Sequence, residues 1–114
     1  MKLPHHVFRA YDVRGLVDID LTPAFAYELG RAIGSEIVES GGDTAAVGFD
    51  ARSSGPILSD ALIKGLMTTG LSVRRIGQVA SPHLYHAVVH GSCGGGVMVT
   101  GSHNPPEYNG FKIM

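Results

Sequence analysis

The sequence predicts an α/β domain, a three-layer helix–sheet–helix sandwich around a mixed sheet of about four strands. Three observations predict it. Short apolar runs rich in β-branched residues alternate with longer stretches whose apolar residues recur at helical spacing. Each helical stretch opens on a hydroxyl residue with proline close behind. The chain has 114 residues with 44% apolar content, enough for one core and too few for two.

The elements follow in order. "VFRAYDVRG" reads as an extended segment, with two arginines, an aspartate and a tyrosine, more polar groups than a buried strand holds. Thr22 can cap the first helix, Pro23 suits its first position, and Gly41-Gly42 stop it. Phe25, Leu29, Ile33 and Ile37 build its apolar stripe. "TAAVGF" is a short strand ending at Asp50, and "DARSSG" a polar turn in which Ser53 or Ser54 can cap a helix from about Pro56 to Thr69. Leu58, Leu62 and Leu66 make that helix's stripe. "LSVRRIG" is a further strand, with Arg74-Arg75 placed near a sheet edge or a strand end. Ser81-Pro82 start a short helix reaching about His90, and Gly91 to Gly96 form a turn. Val97 to Thr100 is a buried strand, and "NGFKIM" the last one. Helices between strands favour parallel pairs, whereas a modest loop joins the final two strands and makes them antiparallel.

Charge and composition exclude several functions. Nine Lys and Arg against ten Asp and Glu give a net charge of −1, without the footprint of a nucleic-acid binder. No apolar run approaches membrane-spanning length, and "MKLPHHVFRAYD" lacks the apolar stretch of a secretory signal. The single Cys93 leaves no internal disulfide, which suits a reducing cytoplasm, and it reads as a small residue in a glycine-rich turn. The six histidines form no metal-ligand pattern with cysteines or carboxylates and read as surface or helix-face residues.

Two glycine-containing stretches lack the spacing that chemistry would need. "GSCGGG" has neither the lysine of a phosphate-binding loop nor the dinucleotide fingerprint. Gly101-Ser102-His103-Asn104-Pro105 lacks the second glycine of a nucleophile elbow, and His103 adjoins Ser102 too closely for a hydrolytic triad. The serine turn itself has more to offer. Pro105 and Pro106 remove backbone donors, and Pro105 forces Asn104 out of the helical region. Ser102 therefore stands on a stiff turn at the end of a strand, where Gly101 lets the backbone approach a ligand. A phosphate on it would bring a charge of about −2 and acceptor oxygens that cations must balance. Lys112 and Arg14 can supply them if the first segment and the last strand meet over the turn. A solvent turn would explain the serine and prolines, but not Arg9, Tyr11, Asp12, Arg14 and Lys112 gathered around strand ends.

At "FRAYDVRG", "GFDARSSG" and "TGSHNPPEYNGFKIM" the chain resembles the first domain of the α-D-phosphohexomutases, in their bacterial phosphomannomutase/phosphoglucomutase branch. The likeness covers essentially all of residues 1–114, in order and spacing, and implies a phosphoserine domain that is a fragment of a four-domain enzyme. It implies that Ser102 carries a phosphoryl group exchanged with a hexose phosphate between C1 and C6, through a hexose 1,6-bisphosphate. It further implies that the phosphate on Ser102 is one ligand of a Mg²⁺ ion. Lys112 and Arg14 match the basic residues beside the transferring group, and His103 a histidine that orients or moves a proton. Tyr11 and Asn104 fall to substrate binding. Phe49 departs from the pattern, since the family usually has a basic residue before the aspartate of the second motif. The other three domains, with the metal loop, the sugar-specificity loop and the distal phosphate loop, are not in this chain. Alone it is expected to be inactive and prone to self-association. The alternatives are a phosphoglucosamine mutase domain, or a folding and assembly module without turnover.

Overall fold

The structure is a computed structural model and describes residues 8–9, 12–78, 94–100 and 107–113. Strands β1 (Phe8–Arg9) and β2 (Asp12–Leu16) lead into helix α1 (Pro23–Glu39). Strand β3 (Thr44–Phe49), helix α2 (Gly55–Met67) and strand β4 (Ser72–Gln78) follow, then β5 (Gly95–Val99) and β6 (Tyr108–Ile113). The strands form one mixed sheet in the order β1-β2-β6-β5-β3-β4. β3 pairs in parallel with β4 and β5, while β6 is antiparallel to β5, as expected for strands joined by a loop.

Helix α1 begins where its sequence punctuation puts it. Thr22 is extended, and its Oγ1 accepts a hydrogen bond from the Phe25 amide at 3.1 Å, satisfying one of the helix's orphan donors. At the other end Gly41 takes φ of 89° and donates to Val38 O, while Gly42 donates to Ile37 O at 2.9 Å. This is the left-handed closure that favours glycine.

Leu29, Ile33 and Ile37 of α1 and Leu58, Leu62 and Leu66 of α2 share one core with Val13, Val47, Val97, Val99 and Phe111 of the sheet. Phe25 and Phe111 meet within it, tilted, with ring centroids 6.2 Å apart. Each such side chain contributes about 1.5–3 kcal/mol when fully buried. Along the strands the intervening residues Ala46 and Met98 are buried as well. An inner strand covered on both faces belongs to a layered α/β sheet.

Three expectations need correction. Among the described residues the sheet has six strands where about four were expected, because the polar N-terminal segment pairs as β1 and β2 alongside β6. Only the two-residue β1 lies beyond β2, and Val13 of β2 turns into the core. Gly95 and Gly96 belong to β5 and not to a turn. Nearby, a Cβ on Gly94 would lie 2.9 Å from Ile37 Cγ2, so this strand start is glycine-rich to pass beneath α1. Ser54 occupies the cap position of α2 but its side chain makes no capping bond. The expected helix at 81–90 lies outside the described residues.

Candidate active site

β2 and β5 both run antiparallel to β6, and β3 runs parallel to β5, so the carboxyl ends of β2, β3 and β5 share one end of the sheet. The carboxyl ends of parallel strands are where α/β sheets present ligand-binding residues. Here Asp50 follows β3 and Thr100 follows β5. The Asp50 amide continues the ladder by donating to Val99 O at 3.0 Å. Its carboxylate then turns back on its surroundings. Thr100 Oγ1 donates to Asp50 Oδ2 at 2.8 Å, and the Arg52 amide donates to Oδ1 at 3.1 Å. Arg52 Nε lies 3.4 Å from Oδ2, and Arg52 Nη1 donates to Tyr108 O at 3.2 Å. Thr100 is also held through its backbone, donating to Gly110 O at 2.9 Å. Both residues that flank the segment 101–107 are thus tied to a single Asp50–Arg52 pair.

A second bond set lies beside the first. Asn109 is fully buried, donates from Nδ2 to Ser54 Oγ at 2.7 Å and accepts from the Gly110 amide at 2.9 Å. It joins the start of β6 to the start of α2. Phe49, one residue before Asp50, packs against the core, and a Cβ on Gly55 would lie 3.1 Å from its ring.

The first segment and the last strand do meet. Arg14 stands opposite Gly110 and Asp12 opposite Lys112 across the β2–β6 ladder. Because Gly110 O accepts from Thr100, the Arg14 backbone lies level with Thr100 and two strands away, about 10 Å. Lys112 is exposed and pairs on its other side with Met98, two residues before Thr100. Lys112 faces away from the side occupied by Phe111, its neighbour in β6. Ser102, His103, Asn104 and Tyr11 lie outside the described residues.

Sequence reasoning missed Asp50, Arg52, Thr100 and Asn109 as parts of one structure. The available signal was an aspartate directly after an apolar strand with arginine two residues on, where an aspartate side chain accepts from the backbone ahead. Among the described residues no group of three or more His, Cys, Asp or Glu is assembled for a metal, and Asp50 is engaged by Thr100 and Arg52. Among the same residues no helix is long and apolar enough to cross a membrane.

The fold and its strand-end arrangement define an α/β domain that presents polar chemistry where its parallel strands end. The chain belongs to the phosphoglucomutase/phosphomannomutase family: residues 5–114 match "Phosphoglucomutase/phosphomannomutase, alpha/beta/alpha domain I". It is 54% identical over 114 residues to the phosphomannomutase/phosphoglucomutase of Pseudomonas aeruginosa, covering 98% of this chain and 24% of that protein. It is 50% identical over 108 residues to the phosphoglucomutase of Neisseria gonorrhoeae, covering 95% of this chain and again 24% of the relative. Among solved structures, a phosphoglucomutase/phosphomannomutase family protein from Burkholderia thailandensis superposes with a TM-score of 0.91 at 40% identity, over 98% of this chain and 26% of that one. The chain therefore spans about a quarter of the length of the relatives it matches.

Proposed function

We propose that this chain is the phosphoserine domain of a cytoplasmic, four-domain phosphomannomutase/phosphoglucomutase, which interconverts hexose 1-phosphates and 6-phosphates. In the first transfer the bond from phosphorus to Ser102 Oγ breaks and one forms to a free hydroxyl oxygen of the hexose phosphate. The hydroxyl's proton passes to a base, for which His103 and Lys112 are the nearest candidates in sequence. The product is a hexose 1,6-bisphosphate. After it reorients, its other phosphoryl group returns to Ser102, and the sugar oxygen released recovers a proton. Lys112 and Arg14 offset the charge on the transferring group, and Tyr11 and Asn104 contact the sugar phosphate. Positioning and electrostatic stabilisation account for most of the catalysis in such transfers.

Magnesium would supply further charge neutralisation on the phosphoryl oxygens. The described residues do not by themselves form a site for it. Its protein ligands beyond the Ser102 phosphate would come from elsewhere in the parent enzyme.

The observation that carries this reading is the β2–β6–β5 register, in which the Lys112 strand adjoins the strand that leads to Ser102 and the Arg14 strand comes next. The names of the relatives favour mannose and glucose phosphates over glucosamine phosphate. The quarter-length coverage favours an isolated chain without turnover. The test is Ser102→Ala in the complete enzyme, assayed with mannose 1-phosphate and glucose 1-phosphate. Turnover should be lost while stability changes by only about half a kcal/mol. Full activity in the alanine variant would remove the serine from the mechanism.

A further inference from the structure

Thr100 and Tyr108, the residues on either side of 101–107, are each held by a side chain from a different loop. The Thr100 hydroxyl donates to Asp50 Oδ2 at 2.8 Å. The Tyr108 carbonyl accepts from Arg52 Nη1 at 3.2 Å. Asp50 and Arg52 close the circuit, with the Arg52 amide on Oδ1 and Nε near Oδ2. The ladder already pairs Thr100 with Gly110, so the sheet does not need this clasp in order to form. Nor does the hydrophobic core, since Asp50 and Arg52 remain partly exposed, at 26% and 16% of their side-chain surface.

We infer that Asp50 is a positioning residue for phosphoryl transfer at Ser102, acting through Thr100 and Arg52 on the two ends of the serine segment. This rests on the reading of Ser102 as the phosphoryl carrier. Reacting oxygens in a transfer of this kind must be held in line, and a displacement of about 1 Å can cost roughly a hundredfold in rate. A bond from a carboxylate is suited to that task because charge-assisted hydrogen bonds are short and directional. Asp50 touches neither substrate nor phosphoryl group in this account. It fixes the two residues between which the serine segment runs.

The test uses the complete parent enzyme carrying Thr100→Val, Thr100→Ser, Asp50→Asn or Ser102→Ala. Steady-state kinetics with a hexose 1-phosphate and amide hydrogen exchange across residues 101–107 are the readouts. Thr100→Val keeps the side-chain shape and removes the donor. Its kcat should fall roughly 10- to 100-fold with KM within about twofold, the pattern of an interaction that matters in the transition state. Exchange across 101–107 should quicken, and Thr100→Ser, which restores the hydroxyl, should return kcat to within about threefold of the parent. Asp50→Asn should lower kcat in the same manner, and it decides the matter if Thr100→Val does not fold. If Ser102→Ala is inactive while the Thr100 and Asp50 variants keep kcat within about twofold, the positioning role is wrong and the phosphoserine reading stands. A rise in KM with kcat unchanged also overturns the role. Should Ser102→Ala remain active, both readings fall together.

Discussion

Gly30 and Gly65 meet where α1 crosses α2, so closely that a methyl group on Gly65 would strike Tyr27 O and one on Gly30 would strike Leu62 O. Both obstacles are backbone, and backbone cannot rotate aside. Gly30→Ala and Gly65→Ala should therefore each destabilise the domain, because overpacking costs about 1–3 kcal/mol and exceeds the roughly 1 kcal/mol that alanine gains in a helix. Ser35→Ala, on the exposed side of α1, should be neutral or slightly stabilising. Urea denaturation of the three variants checks this. Stabilisation by either glycine replacement would mean that the helices do not cross there.

Asn109 yields a second expectation. It is fully buried and spends its amide on Ser54 Oγ and the Gly110 amide. Asn109→Leu should cost about 2–3 kcal/mol, since two groups lose their partner in a dry place. Ser54→Ala should cost about 1–2 kcal/mol, mostly through the amide left unpaired, because Ser54 does not cap the helix. Denaturant midpoints measure both, and equal tolerance of the two changes would place Asn109 in contact with water.

The ion pair between Arg75 and Asp60, at 2.9 Å, should matter little. Their side chains are 61% and 58% exposed, so the attraction is screened and ordering two side chains opposes it. Arg75→Ala is expected to shift stability by less than about 0.5 kcal/mol, at low and high salt alike. Thermal melts at two salt concentrations would expose a larger contribution.

The isolated 114-residue chain is expected to self-associate and to lack turnover. Ile57 is 62% exposed on α2 and lines a cleft with Val17, Pro23 and Leu58, and Ile19 is 73% exposed in the turn after β2. Exposed apolar side chains next to a cleft seek partners. Sedimentation equilibrium across a concentration series should show mass rising with concentration, and Ile57→Asp should reduce the effect. Monomers at every concentration, or hexose-phosphate turnover by the fragment alone, would overturn the respective halves.

What was legible in the sequence was local. Thr22-Pro23 and Gly41-Gly42 bracket α1 by rules acting over four residues, and "TAAVGF" coincides with β3. The first segment and the last strand do meet, because β2 pairs with β6, while the serine turn over which they were expected to meet lies outside the described residues. What escaped is set by partners distant in the chain. Asp50 and Thr100 are bonded across 50 residues, and neither local stretch announces the other. Gly95 and Gly96 looked like turn residues because glycine carries no side-chain pattern, yet their pairing with β3 makes them strand. The polar β2 escaped because its strand character comes from pairing with β6, about a hundred residues away, and not from an apolar pattern of its own.

The β2–β6 pairing also sets an order in time. Residues 12–16 leave the ribosome well before residues 108–112, which are their neighbours in the sheet apart from β1. At translation speeds of roughly 5–20 residues per second, the Arg14 strand waits several seconds for its partner. The strands bearing Arg14 and Lys112 thus come together only after α1, β3 and α2 have had time to form. A nascent chain stalled before Tyr108 is fully exposed should show unprotected amides in β2 beside protected ones in α1, as measured by pulsed hydrogen exchange. In this domain the pairing that joins the Arg14 and Lys112 strands must wait for β6, made after α1, β3, α2, β4 and β5.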